Sequence, residues 1–150
     1  MSELGDLYQE LIVEHYNHPR NLRKVEGANR SVEGYNPFCG DRFMLYLRMD
    51  NGIITDIGFL GSGCAISKAS TSLMTESVRG KSSEEAQSLF SAFHRMLTGQ
   101  VLSDQERELL GDLEVLSGVV EFPIRVKCAT LSWHTLRAAL EGQKGTVATE

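Results

Sequence analysis

Asn51-Gly52 stands between two runs of alternating residues, and this commits the middle of the chain to a β-hairpin. Both residues tolerate the positive φ that a two-residue hairpin turn requires. Before the turn, Phe43, Leu45, Leu47 and Met49 alternate with Arg42, Met44, Tyr46 and Arg48. After it, Ile53, Thr55, Ile57 and Phe59 alternate with Ile54, Asp56, Gly58 and Leu60. A period of two is what a half-buried strand needs. A weaker strand is expected over residues 29–35, completing a small antiparallel meander.

Helical signals flank these strands. The opening segment places Leu4, Leu7, Leu11 and His15 on one face, with Tyr8 and Ile12 beside it. His18-Pro19 should end that helix, because the residue before proline is pushed out of the helical region. Residues 64–78 put Ile66, Ala69 and Leu73 on one face. Ser82-Ser83-Glu84-Glu85 and Ser103-Asp104-Gln105-Glu106 both have capping-box spacing, the first opening a helix through Leu97 and the second a shorter one. A last helix, opened by Cys128, carries Ala129, Trp133, Leu136 and Leu140 as an apolar stripe and stops at Gly142. Strands first and helices later predict an α+β domain over residues 1–142, with a three-stranded antiparallel sheet, helices packed on one face, and a frayed tail over 143–150.

A chain of 150 residues can bury most of its apolar surface in one domain without disulfides. Its net charge of -5 argues against a nucleic-acid surface, which needs a basic patch. No apolar run approaches the length of a membrane span. The first residues, Met1-Ser2-Glu3-Leu4-Gly5-Asp6, lack the basic-then-apolar pattern of a signal peptide. The cysteine count of 3 is odd and does not fit a fully paired disulfide framework. A reducing, cytoplasmic compartment is therefore expected, where clustered thiols act as metal ligands or reactive groups.

Those cysteines fall at element junctions. Cys39 lies in a loop before the first hairpin strand, Cys64 follows the second and opens a helix, and Cys128 opens the last helix. Two thiols at helix N-termini would feel the positive end of the helix dipole, which favours thiolate. Pro37 stiffens the approach to Cys39, while Gly40, Gly61 and Gly63 leave room for tight backbone paths. If the loops converge, Cys39, Cys64 and Cys128 supply sulfur and Asp41 adds oxygen, a donor set that suits tetrahedral zinc. Such a site carries excess negative charge, which Arg125 and Lys127 could offset. No Cys-x-x-Cys pair forces the ligands together, so spacing alone leaves a second reading open, in which each cysteine is a small buried hydrophobe.

Several motifs occur in an order that resembles the IscU/NifU-N family. They are Asn36-Pro37-Phe38-Cys39-Gly40-Asp41, Gly63-Cys64-Ala65-Ile66-Ser67 with Ala69-Ser70 and Ser72-Leu73-Met74 after it, and Arg125-Val126-Lys127-Cys128-Ala129-Thr130-Leu131-Ser132-Trp133-His134. Leu7-Tyr8 and His15-Tyr16-Asn17-His18-Pro19-Arg20-Asn21 agree as well. Scaffold-type members carry histidine before the third cysteine, where this chain has Lys127. The segment around Gly99–Gly118 is similar to the helical insertion of SufU-type members. The resemblance implies zinc held by Cys39, Asp41, Cys64 and Cys128, with Cys39 as the sulfur acceptor. It implies a SufS-type cysteine desulfurase as partner and downstream iron–sulfur assembly proteins as recipients. In the family, a desulfurase histidine takes the place of Cys39 on zinc and frees its thiolate. The alternative it leaves is a scaffold that assembles and passes on a [2Fe–2S] cluster. His134 is a remote candidate ligand, and Trp133 is expected in the core.

Overall fold

The computed structural model describes residues 3–143 and 145–148, with side chains described from residue 9 onward. The chain runs α1 (Glu3–Asn17), β1 (Arg30–Asn36), β2 (Asp41–Asp50), β3 (Ile53–Ser62), α2 (Ala65–Val78), α3 (Ser83–Leu97), α4 (Asp104–Leu110), a 3-10 segment (Gly111–Glu121), α5 (Pro123–Leu140) and β4 (Gly145–Ala148). It is an α+β fold with the helices gathered on one face of a sheet ordered β3-β2-β1-β4.

The turn at Asn51-Gly52 forms as the dipeptide demands, with φ of 52° and 78°. Alternation sorts β1 and β2 cleanly. Val32, Gly34 and Asn36 point inward from β1, and Asp41, Phe43, Leu45 and Leu47 point inward from β2. Parity therefore delivers two polar side chains, Asn36 and Asp41, to the inner face at the end of the β1–β2 hairpin, where they pair across the strands. In β3 the strict alternation fails. Arg48 pairs with Asp56 but Met49 pairs with Ile54, so Thr55 is a bulge residue. The extra residue flips the parity. Ile54 becomes buried beside Ile57 and Phe59, Thr55 is exposed, and Met49 is only half-buried.

Both capping boxes form, at Ser82 with Glu85 and at Ser103 with Glu106. Alpha 5 departs from expectation at its start. Pro123 occupies its first turn, where a missing N–H does no harm, so Cys128 sits in the second turn instead of opening the helix. The dipole effect fades beyond the first turn, leaving Cys64 as the one thiol at a helix N-terminus. Trp133 is fully buried and stacks on Phe90 and Phe93, with ring centroids 5.8 and 4.8 Å away. The segment after Gly99 folds as α4 and the 3-10 turns, burying Leu113, Val115, Leu116 and Val119.

The sheet has four strands where three were expected, and it is mixed, because β4 runs parallel to β1. Residues 145–148 of the tail expected to fray thus extend the sheet, while 144, 149 and 150 lie outside the described residues. The open edge of β1 supplies the unpaired backbone groups that β4 takes up. Gly142, at φ 80°, turns the chain toward it, and Arg30 Nη1 donates to the Ala139 and Leu140 carbonyls at the end of α5.

Alpha 1 ends at Asn17, before His18-Pro19, and packs along α2. Leu11 and Ile12 rest against the core; the side chains of Leu4, Leu7 and Tyr8 lie outside the described residues. His15 is buried, with Nδ1 2.7 Å from Ser72 Oγ, and the Arg20 N–H donates to the same oxygen at 2.8 Å. Ser72 Oγ thereby joins the buried imidazole to the backbone at Arg20. Burial lowers the His15 pKa and Arg20 lowers it further, against the raising effect of Glu76, Asp112 and Glu14. Burial lowers His134 in the same direction, helped by His94 and Arg137. Below the ordinary histidine value of 6.5 the unfolded chain binds protons that these folded histidines refuse, so stability falls with pH. Metal-free protein should melt at progressively lower temperature as pH drops through this range. His15→Gln should flatten that slope, and a slope unchanged by the substitution contradicts the assignment.

Candidate metal centre

The site forms where the β1–β2 loop, the start of α2 and the second turn of α5 meet. Cys39 Sγ, an Asp41 carboxylate oxygen and Cys128 Sγ all lie within 4.8 Å of one another. The two sulfurs are 3.2 Å apart. Cys39 is exposed, while Asp41 and Cys128 are fully buried. The three donors are thus graded from solvent inward, with the exposed one on a short loop and the buried ones on regular elements.

Cys64 stands next to this cluster but outside it. Its Sγ caps α2 by accepting the Ser67 N–H at 3.4 Å, and it is half-buried. It also neighbours Cys128, raising the proton affinity of that thiol. Sequence reasoning brought four residues together; the structure brings three into one shell and the fourth to its edge.

Asp41 is a buried carboxylate. Its Oδ1 accepts the Cys64 N–H at 2.9 Å and its Oδ2 accepts from Asn36 Nδ2 at 3.3 Å. Among the described residues no lysine or arginine pairs with it. A buried charge without a counter-charge is costly. Two sulfurs at its side and free lone pairs on its oxygens make a divalent cation the fitting partner. In a tetrahedral zinc site, thiolate sulfurs stand about 3.8 Å apart. The observed spacing is close enough for small side-chain rotations to reach it.

Electrostatics agree. Burial pushes the Cys128 thiol well up, and contacts with Cys39 and Cys64 and the nearby Asp41 charge push it further. Without a cation this thiol keeps its proton; a bound cation would displace it. The Arg125 guanidinium faces Cys64 and Cys128, and its pKa is raised to the extent that these sulfurs are thiolates, Cys64 first. Arg125 is thus placed beside the sulfurs whose charge it was expected to offset. Lys127 points elsewhere, with Nζ 4.0 Å from the centre of the exposed Phe38 ring. His134 packs against Phe90 and is not in the ligand cluster.

Two residues matter more than the sequence reading assigned. Asn36 bridges Asp41 and Cys128, and the inward parity of Val32 and Gly34 was the signal that could have found it. Gly63 is where the backbone closes on the Asp41 carboxylate. A Cβ there would lie 2.8 Å from Asp41 Oδ1 and 2.9 Å from Phe43 Cζ. Since Phe43 is buried, the carboxylate would have to move. Gly63→Ala is expected to weaken divalent-cation binding by about 10-fold or more and to lower stability by about 1–3 kcal/mol. Chelator competition and chemical denaturation measure the two effects, and unchanged cation affinity would refute the packing argument.

The sequence matches the family described as NifU-like N terminal domain over residues 7–129. It is 42% identical over 144 residues to the zinc-dependent sulfurtransferase SufU of Bacillus subtilis, covering 96% of both chains. It is 41% identical over 141 residues to the iron-sulfur cluster assembly scaffold protein IscU of Streptococcus pyogenes, covering 94% of this chain and 87% of that protein. A crystal structure described as a putative iron-sulfur cluster assembly scaffold protein for the SUF system, from Fervidobacterium islandicum, superposes with a TM-score of 0.82 at 37% identity, covering 87% of this chain and 94% of that one.

Proposed function

The chain belongs to the family of NifU-like N-terminal domains, and from that premise we propose that it is a zinc-dependent sulfur acceptor working in iron–sulfur cluster assembly. The donor is a cysteine desulfurase of the SufS type, and the sulfur passes on to downstream assembly proteins. The observation that carries this reading is the exposed Cys39 thiol sharing one shell with buried Asp41 and Cys128. Likeness to a zinc-dependent SufU supports the choice of metal. Cys64 is proposed as the fourth ligand, reached by rotation of a side chain that already neighbours Cys128. The working thiols need a reducing compartment, which supports a cytoplasmic location.

Bound zinc would supply one thing here, the displacement of protons from its thiol ligands, above all from buried Cys128, which otherwise keeps its own. Everything else is done by the chain. Asp41 and Cys128, held by the hairpin end and by α5, stay in place. Cys39, on the exposed loop, is the ligand that leaves. Its thiolate attacks the terminal sulfur of the donor persulfide. A Cys39–sulfur bond forms, the donor's sulfur–sulfur bond breaks, and the donor departs as thiolate, so electrons and atoms balance without an added oxidant. Arg125 at the mouth steadies the negative charge that accumulates around Cys64 and Cys128. Mass analysis of the three cysteines after incubation with desulfurase and cysteine tests this. Persulfide on Cys39 supports it, and persulfide confined to Cys64 or Cys128 overturns it.

The similarity to scaffold proteins favours a second reading, assembly of a [2Fe–2S] cluster on the same residues. Lys127 in place of a ligating histidine, with its amine directed to Phe38, weighs against it. Zinc without visible absorption supports sulfur transfer. A brown protein that hands on iron and sulfide after anaerobic reconstitution supports the scaffold.

A further inference from the structure

Asn36 touches the buried ligands with one end of its amide and the Cys39 loop with the other. Nδ2 donates to Asp41 Oδ2 at 3.3 Å and approaches Cys128 Sγ at 3.6 Å. Oδ1 accepts the Phe38 N–H at 3.1 Å. The carbonyl of the same residue accepts the Gly40 N–H at 2.8 Å, with Gly40 at φ 74°. The loop is therefore tied to Asn36 on both sides of Cys39, through the residue before it and the residue after it. The side chain of Asn36 is wholly buried, so its contacts with Asp41 and Cys128 are shielded from water.

This arrangement has a mechanical consequence. A loop tied at Phe38 and Gly40 lets Cys39 swing about its own side-chain torsions while its neighbours stay put. The other end of the amide holds Asp41 and Cys128 through contacts that do not involve Cys39. We propose that Asn36 is the positioning residue that separates two fixed ligands, Asp41 and Cys128, from the detachable ligand Cys39. The role demands a neutral amide. An aspartate would keep the acceptor for Phe38 but lose both donors and set a second carboxylate against Asp41. A serine would keep a hydroxyl for the turn but lack the amide that spans the two ligands. The inference takes its ligand set from the function proposed above, but none of its sulfur chemistry.

The test uses zinc-loaded wild-type protein, Asn36→Asp and Asn36→Ser, with no desulfurase present. Zinc affinity is read by competition with a chromophoric chelator. The order in which iodoacetamide labels the three cysteines is read by mass spectrometry, and cobalt(II) spectra report the number of bound thiolates. In wild type, Cys39 should label first, with Cys64 and Cys128 protected. In both variants affinity should fall about 10–100-fold, Cys128 labelling should rise toward the rate of Cys39, and the sulfur-to-cobalt band should weaken. Reduced stability with affinity and labelling order unchanged overturns the inference. So does wild-type protein in which Cys64 or Cys128 labels as fast as Cys39, a result that needs no folded variant. Failure of the wild type to accept sulfur would sink the function proposed above and leave these readouts untouched.

Discussion

Replacing Cys39 with serine brings sulfur acceptance to background and leaves the fold standing. The side chain is exposed in a turn, and its sulfur meets Cys128 Sγ at 3.2 Å. The turn itself is closed through Asn36, Phe38 and Gly40, none of which depends on the thiol. Serine is nearly isosteric, so melting of the metal-free protein should shift by no more than a surface substitution does, within about 0.5 kcal/mol. Function is another matter. A hydroxyl at neutral pH is not a thiolate and cannot carry a sulfane sulfur. Desulfurase turnover in the presence of Cys39→Ser should match turnover without this protein. Full stimulation by the variant would remove Cys39 from the acceptor role.

Cys128→Ser should abolish the response to zinc. Cys128 is wholly buried against Asp41 and Asn36, so a lost sulfur there cannot be replaced from solvent. Loss of an outer hydrogen-bond partner already weakens metal binding by about 10–100-fold; loss of a ligand should exceed that. Free zinc at 100 times the dissociation constant stabilises a folded protein by about 2.7 kcal/mol. Wild type should show a shift of this order on zinc addition and the variant none. The metal-free variant should stay close to wild type, because Asn36 Nδ2, 3.6 Å from the sulfur, can serve the new hydroxyl at a net change of about 1 kcal/mol. An equal zinc shift in both proteins would show that Cys128 is not a ligand.

Much of this was legible in the chain because local chemistry dictated it. Asn51-Gly52 fixed its turn, two serine–glutamate boxes fixed two helix starts, and Gly142 fixed a helix end. Of the four residues expected to converge, Cys39, Asp41 and Cys128 come together and Cys64 stays at the edge. What escaped was set by tertiary pairing. Nothing in residues 53–60 marks Thr55 as the extra residue, since the bulge exists only against Arg48 and Met49. The β4 strand is four residues of weak pattern, and its partner β1 lies more than a hundred positions away. Pro123 did announce the start of α5, five residues before the position expected from the apolar stripe. The edge position of Cys64 follows from its capping bond to Ser67, a competition between two uses of one thiol that spacing does not reveal.

Zinc K-edge absorption on the loaded protein most directly tests whether these side chains grip one cation. The expected shell is three sulfurs and one oxygen in the wild type, falling to two sulfurs in Cys39→Ser. A shell of nitrogen and oxygen in the wild type, or a sulfur count unmoved by that substitution, would contradict it.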